Sequence, residues 1–226
     1  MRPFMNTAKH TKPLHDLIKE GRKYYLPKGQ ILQTSDDRLM LNLIVSGYVK
    51  RYLIGNDGNL GVQYIAGPNY VFPLTPVFKA TLNQVIYVGP EVYYYQCMTD
   101  TQIYSISQET LKEAVDKDPV LYKALFAESG IRLQDNIQRL ENLSLKSAYK
   151  RVAHQMVYYA GQFGTKQADG IKLDIPLTHQ DFADNLSLTR ETVSTCMVRL
   201  RKKGLITTDK NIVVTSMTKL ENEAYK

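Results

Sequence analysis

The stretch from Leu177 to Leu200, LTHQDFADNLSLTRETVSTCMVRL, leaves a chain few ways to fold. Thr178 followed three residues later by Asp181 reads as an approximate capping box opening a short helix. Phe182, Ala183 and Leu186 form that helix's buried face, with Ala183 small where a second helix must cross closely. Ser187-Leu188 turns the chain, and Thr189 caps the second helix. There Val193, Met197 and Leu200 fall at i, i+4 and i+7, while Arg190, Glu191, Ser194, Thr195 and Val198 occupy the opposite face. Two short helices joined by a turn of about three to four residues form the motif whose second helix enters the DNA major groove.

The polar face suits base reading. Arginine donates two hydrogen bonds to guanine O6 and N7, glutamate accepts from cytosine N4, and serine or threonine serves either. Glu191 in a first turn also complements the helix dipole, and Arg190 on a generic helix would be a solvated charge. The helix pair, its turn and its basic flank together favour base contact by Arg190, Glu191, Ser194 and Thr195. The flank is Arg199-Leu200-Arg201-Lys202-Lys203, ended by Gly204. Such a run complements a helix C-terminus and also lies where phosphates pass, which makes Arg199 and Lys202 candidate phosphate contacts. Leu205–Thr208 and Ile212–Thr215 around Asp209-Lys210-Asn211 read as a β-hairpin wing.

Charge agrees with a polyanionic partner. The net charge is +7, and residues 145–226 carry 13 lysines and arginines against 8 acidic residues, while residues 1–144 carry 16 against 14. The excess therefore sits beside the two-helix motif, where neutralised phosphates would release condensed counterions.

Residues 24–106 read as many short strands punctuated by glycine, which favours a barrel or sandwich. Leu41–Ile54 reads as two strands around a tight corner at Gly47. Asn56-Asp57-Gly58 is a hairpin turn, with Gly61 to Ile65 returning. Ser107 caps a helix running to Val115, and Asp118-Pro119 starts another reaching about Asn142. In that long helix Phe126, Leu133 and Leu140 recur every seven residues, Leu121, Leu125 and Ile137 widen the stripe, and Arg132, Gln134, Asp135, Asn136, Gln138 and Arg139 flank it. The pattern is that of a coiled-coil-like dimer helix, with Phe126, Leu133, Ile137 and Leu140 at the interface. The plainer alternative is a helix packed only on its own barrel. Lys146–Phe163 is a further helix with Gly164 as its C-cap, and Thr165–Gly170 a polar loop.

The residues also exclude functions. The 4 histidines, His10, His15, His154 and His179, have no metal-ligand spacing, and no phosphate loop or nucleophile elbow is present, so we expect neither an enzyme nor a cofactor. Two distant cysteines, Cys97 and Cys196, fit a reducing cytoplasm rather than a disulfide framework. No run of 18 apolar residues is long enough to span a membrane, and residues 1–7 lack the apolar run of a signal peptide.

The run Thr189–Ser194, then Arg199-Leu200 and Lys203-Gly204-Leu205-Ile206, resembles the recognition helix and wing of the Crp/Fnr family. The glycines at 29, 47, 58 and 67 are similar to that family's cyclic-nucleotide-binding-type roll. The resemblance implies an α+β architecture. Residues 1–118 form an antiparallel β-roll or jelly-roll sensor, 119–144 a dimerisation helix, and 145–226 a winged helix-turn-helix. It further implies a homodimer on a palindromic operator, double-stranded DNA and RNA polymerase as partners, and base contacts by Arg190, Glu191 and Ser194. Phosphate contacts carry over onto Thr178, His179, Gln180 and Thr189, although His179 equally fits an ordinary exposed histidine.

Departures qualify the resemblance. Thr195 stands where many members have arginine, which alters one base contact. Ser187 replaces the turn glycine, where a positive φ would cost on the order of 1 kcal/mol. From Phe72-Pro73-Leu74-Thr75-Pro76-Val77-Phe78 onward to Val92 there is no arginine, and Lys79 is the only cation between Gly67 and Leu111. A buried cyclic phosphate needs a paired cation, so we expect weak or no cyclic AMP binding. The cluster cysteines of the oxygen-sensing branch are missing too. Phe72, Tyr87, Tyr93, Tyr94 and Tyr95 either line an apolar effector pocket or are plain barrel packing, and a protein with no small-molecule effector fits as well. The rival function is a ligand-sensing signalling protein whose helix-turn-helix makes protein contacts; a steep salt dependence of DNA binding separates the two.

Overall fold

The computed structural model describes residues 8–34, 40–55, 58, 60–75, 77–78, 93–144 and 147–225. Asn56-Asp57 of the expected hairpin turn, Pro76, Lys79, Tyr87 and Lys146 lie outside the described residues.

Helix α1 (Ala8–Lys19) precedes eight strands: β1 (Arg22–Leu26), β2 (Ile31–Thr34), β3 (Met40–Ser46), β4 (Val49–Ile54), β5 (Leu60–Ala66), β6 (Val71–Phe72), β7 (Tyr93–Cys97) and β8 (Thr101–Ser107). They form two four-stranded sheets in the orders β1-β8-β3-β6 and β2-β7-β4-β5, with antiparallel pairing. The corner at Gly47 passes the chain from one sheet to the other. Its φ is +87°, and a Cβ there would fall 2.4 Å from the Asp100 carbonyl oxygen, so only glycine fits. Ile44, Val49, Ala66, Phe72, Tyr93, Tyr95, Cys97 and Ile103 make one buried cluster of the roll. A second joins Leu14 and Ile18 of α1 to Leu41, Leu43 and Val71 of the strands.

Helices α2 (Gln108–Lys117) and α3 (Val120–Ser144) follow. Ser107 caps α2 by accepting from the Thr110 N–H at 3.2 Å, and Asp118 Oδ1 accepts from the Val120 N–H at 2.9 Å. Both starts are where the sequence places them. The stripe on α3 is narrower than the heptad reading: Leu121 and Leu125 are buried in the roll's own cluster with Leu111 and Val115. Phe126, Leu133, Ile137 and Leu140 face outward, at 83 %, 62 %, 40 % and 65 % exposure.

The flanking polar residues are not all solvated either. Arg132 donates to Glu128 at 2.7 Å and Asp135 at 3.0 Å, and its guanidinium carbon sits 3.4 Å from the centre of the Tyr70 ring. His15 of α1 approaches the other Glu128 oxygen at 3.8 Å. Burial works to raise the Glu128 pKa, but His15 and Arg132 outweigh it and hold the carboxyl below its ordinary range.

The chain divides into two compact units. The first gathers residues up to Leu53 and Gln63–Asp135; the second takes Ile54–Val62 and everything from Asn136. The second unit holds α4 (Ala148–Phe163), β9 (Gly164–Gln167), β10 (Gly170–Leu173), α5 (His179–Leu186), α6 (Arg190–Lys202), β11 (Ile206–Thr207), β12 (Val213–Val214) and α7 (Met217–Tyr225). Thr165–Gly170 is thus not a plain polar loop: β9 pairs antiparallel with β10, and β12 pairs with both β10 and β11. These strands are too short and polar to show alternation. Gly164 ends α4 in extended backbone, not in the left-handed region. Room, not φ, demands glycine there, since a Cβ would meet the Ala160 carbonyl oxygen at 2.3 Å.

Candidate DNA-binding site

Helix α5 begins as its sequence dictates. The Thr178 hydroxyl accepts from the Asp181 N–H at 3.1 Å, and Asp181 Oδ2 accepts from the Thr178 N–H at 2.9 Å and hydroxyl at 2.6 Å. That completes the capping box and revises one expectation. The single hydroxyl proton of Thr178 is spent on Asp181, so the side chain has nothing left to donate to a phosphate. Gln180 donates one amide proton to Asp184 at 2.6 Å, and His179 is half-buried. The first N–H groups of the helix stay free of helical partners and carry its positive dipole end, which suits an anion.

Ser187 follows α5 at φ 52° and ψ 51°. The left-handed turn foreseen at this position is present, without glycine. Thr189 then caps α6, its hydroxyl oxygen accepting from the Thr192 N–H at 3.1 Å. Val193, Met197 and Leu200 are fully or nearly buried, joined by Cys196, whose thiol burial pushes up in pKa. Phe182 supports the helix pair from below, edge-on to Tyr159 of α4 at 5.4 Å between ring centres. Arg151 of α4 reaches the Leu186 carbonyl at 3.2 Å and ties the end of α5.

Arg190, Glu191 and Thr195 are exposed and Ser194 is half-buried, all on the side of α6 away from that core. Thr195 donates its hydroxyl to the Glu191 carbonyl at 3.0 Å, so toward DNA it offers an acceptor and a methyl group. Lys202 is exposed near the helix C-terminus. Arg199 is exposed too, with a ring beneath its guanidinium. Its guanidinium carbon lies 4.0 Å from the centre of the Tyr149 ring, and Lys203 pairs with Glu223 of α7 beside the same ring. Tyr149 is pushed up to about 12, first by burial and then by Glu223. Sequence reasoning missed Tyr149 as the platform under Arg199. Nothing in the spacing pairs a residue of α4 with one fifty positions later.

The aromatic candidates of the roll divide by strand alternation. Phe72, Tyr93 and Tyr95 are buried, with Phe72 and Tyr95 at 4.8 Å between ring centres. Tyr94 turns to the opposite face and stacks on Tyr52 at 5.4 Å, so it does not belong with them.

Comparison with known proteins agrees with this architecture. Residues 150–223 match the family model of the Crp-like helix-turn-helix domain. A "CRP-like cAMP-activated global transcriptional regulator" of Mycobacterium tuberculosis is 24 % identical over 92 % of this chain and 90 % of its own. Among solved structures, a CooA mutant from Carboxydothermus hydrogenoformans superimposes with a TM-score of 0.72 at 24 % identity, covering 92 % of this chain and 90 % of that one. FixK2 from Bradyrhizobium japonicum gives 0.74 at 21 % identity, covering 91 % and 98 %. Among the described residues no helix is long and apolar enough to cross a membrane. Residues 150–223 thus carry a Crp-like helix-turn-helix domain that presents a polar helix face, and the chain as a whole is similar to Crp/Fnr transcription regulators, sharing their fold over most of its length.

Proposed function

We propose that the protein binds a twofold-symmetric operator as a homodimer, one α6 per half-site, with an effector other than cyclic AMP or with none. Residues 1–118 serve as the sensor, 119–144 as the dimer helix and 145–226 as the reader. Arg190, Glu191, Ser194 and Thr195 read base edges. The N-terminus of α5 at His179 and Gln180, together with Thr189 and Lys202, meets phosphates. Arg199, exposed and resting on Tyr149, meets phosphates with its in-plane donors. RNA polymerase is the partner of the bound dimer, in the cytoplasm, where both cysteines remain free thiols.

One observation carries this reading: α6 buries Val193, Met197 and Leu200 while leaving Arg190 and Glu191 in solvent. A second supports the dimer. Phe126, Leu133 and Leu140 lie one heptad apart, exposed, along a 25-residue helix about 37 Å long. Large apolar side chains in such a row are stabilised by a matching helix, and the matching helix available to every copy is α3 of another copy.

Selection of bound sequences from a random DNA pool tests the proposal. We expect an enriched inverted repeat whose halves are centred about 10 base pairs, or one helical turn, apart. Enrichment of an asymmetric site, or of none, overturns it. Sizing that finds only monomer at micromolar concentration overturns the dimer.

A further inference from the structure

Arg199 and Lys203 stand one turn apart at the C-terminal end of α6, and both lie over the ring of one tyrosine of α4. The guanidinium carbon of Arg199 is 4.0 Å from the centre of the Tyr149 ring, and the ammonium of Lys203 is 5.5 Å from it. Tyr149 itself is buried. The two cations are otherwise treated differently. Lys203 pairs with Glu223 of α7. The Arg199 side chain is exposed and makes no hydrogen bond and no ion pair among the described residues.

A ring beneath a guanidinium attracts it through one face and takes none of its N–H groups, which lie in the plane. Arg199 is thus held in place while its donors stay free for the forked bonding that a phosphate accepts. An ammonium held by a carboxylate offers DNA a neutral pair instead of a charge. Arg199, Lys203 and Glu223 together carry one net positive charge, two cations less one carboxylate. The fold places Glu223 for this task. Leu220 and Ala224 beside it on α7 are buried and fix that side of the helix. Lys203 first, against burial, and then Tyr149 hold the Glu223 carboxyl below its ordinary range.

We propose that Tyr149 and Glu223 are positioning residues for the phosphate contact at this end of α6: Tyr149 holds the guanidinium of Arg199 toward a DNA phosphate, and Glu223 keeps Lys203 off the backbone. Through Glu223, α7 sets how many phosphates the reader neutralises. The inference rests on the reading of α6 as a DNA-binding helix.

Fluorescence anisotropy of the full chain on a labelled random-sequence duplex, titrated at several salt concentrations, gives affinity and salt slope together. Arg199→Ala should reduce the steepness of that slope by about 0.9. Tyr149→Leu should weaken binding about two- to fivefold, the worth of an exposed cation–ring contact, and Tyr149→Phe, which keeps the ring, should recover most of that loss. In a chain that already carries Arg199→Ala, Tyr149→Leu should weaken binding no further, whereas a ring that served only packing would act alike with and without Arg199. Glu223→Gln should act in the opposite direction. Affinity rises for every sequence, the slope steepens by about 0.9 as Lys203 is released, and Lys203→Ala in the same chain returns the slope to its starting value. Glu223 is partly exposed, so its variants decide the matter if Tyr149→Leu fails to fold. If Arg199→Ala and Lys202→Ala both leave affinity and slope unchanged, the DNA reading of α6 is wrong and this inference falls with it. If those two act as expected while Tyr149→Leu is equally costly in the absence of Arg199, or while Glu223→Gln leaves the slope where it was, the reading stands and the positioning role is overturned.

Discussion

Arg190 and Lys202 stand in solvent on the winged unit, while Arg51 and Arg132 of the roll are folded against tyrosine rings. The same side-chain chemistry is thus put to opposite uses. A cation left in water costs folding little and stays available to a polyanion, whose counterions it displaces. A cation withdrawn from water must be repaid by carboxylates or rings, and removing one partner leaves the other uncompensated. Substitutions of outward charges should therefore change binding and spare stability, and substitutions of inward charges should do the reverse.

The largest effect that sharpens this contrast is expected at Glu128→Ala. It leaves Arg132 on the Tyr70 ring with Asp135 as its remaining carboxylate, and should cost about 3 kcal/mol in chemical denaturation. Arg190→Ala should stay within about 0.5 kcal/mol. Equal costs at the two positions would break the contrast. Acid should act in the same direction as Glu128→Ala. Because the folded carboxyl is held below its ordinary value of 4.5, the unfolded chain takes up the proton first. The contribution of Glu128 is full above about pH 4.5 and is lost as pH falls through the lower folded value.

Next in size are the effects on DNA. Glu191→Ala should relax preference at one operator position by about 1–3 kcal/mol while keeping most non-specific affinity. Lys202→Ala should weaken all sequences alike and lower the salt slope by about 1. Competition binding on operator variants at several salt concentrations measures both. Identical behaviour of the two variants would remove the division between base and phosphate contacts.

The winged unit has its own pH window, set by an inward base. His154 is buried, edge-on to Tyr225 of α7 at 5.1 Å, and burial lowers its pKa against a smaller opposing pull from Glu141. A histidine depressed in the folded state stays neutral there while the unfolded chain charges. Its contribution is therefore full above about pH 6.5 and is lost as pH falls below that value. His154→Gln should flatten the stability profile just below pH 6.5 and leave the carboxylate window near pH 4.5 in place. An unchanged profile would remove His154 as its source.

What could be read from the sequence follows the same divide. The α5–α6 pair was legible because its instructions are local: a cap three residues from its partner, an apolar side at i, i+4 and i+7, a turn between. The outward stripe of Phe126, Leu133 and Leu140 was legible for the same reason. The inward charges were not. Arg132 and Asp135 look like a solvated flank until α1 brings His15 and the segment before β6 brings Tyr70. Arg51 looks like an ordinary strand cation until the β4–β7 register sets it opposite Tyr95. The hairpin β9–β10 was lost in a polar run whose strands declare themselves only by pairing with β12.

The smallest predicted effect uses backbone rather than charge. The roll and the winged unit each hold one left-handed residue that is not glycine among the described residues: Asn69 at φ 67° and Ser187 at φ 52°. Asparagine tolerates that region because its short polar side chain bonds locally, whereas serine gains less. Replacing Ser187 with glycine removes its Cβ strain but gives the unfolded chain more freedom, and the balance should leave the winged unit about 0.5–1 kcal/mol more stable. Asn69→Gly should change the roll by close to nothing. The α5–α6 turn keeps its N–H to Ala183 carbonyl bond in either case, so operator preference should be unaltered. Thermal unfolding of both variants beside a binding isotherm decides the matter. A destabilised Ser187→Gly would mean that the hydroxyl holds the turn, and that the strain assigned to it is not there.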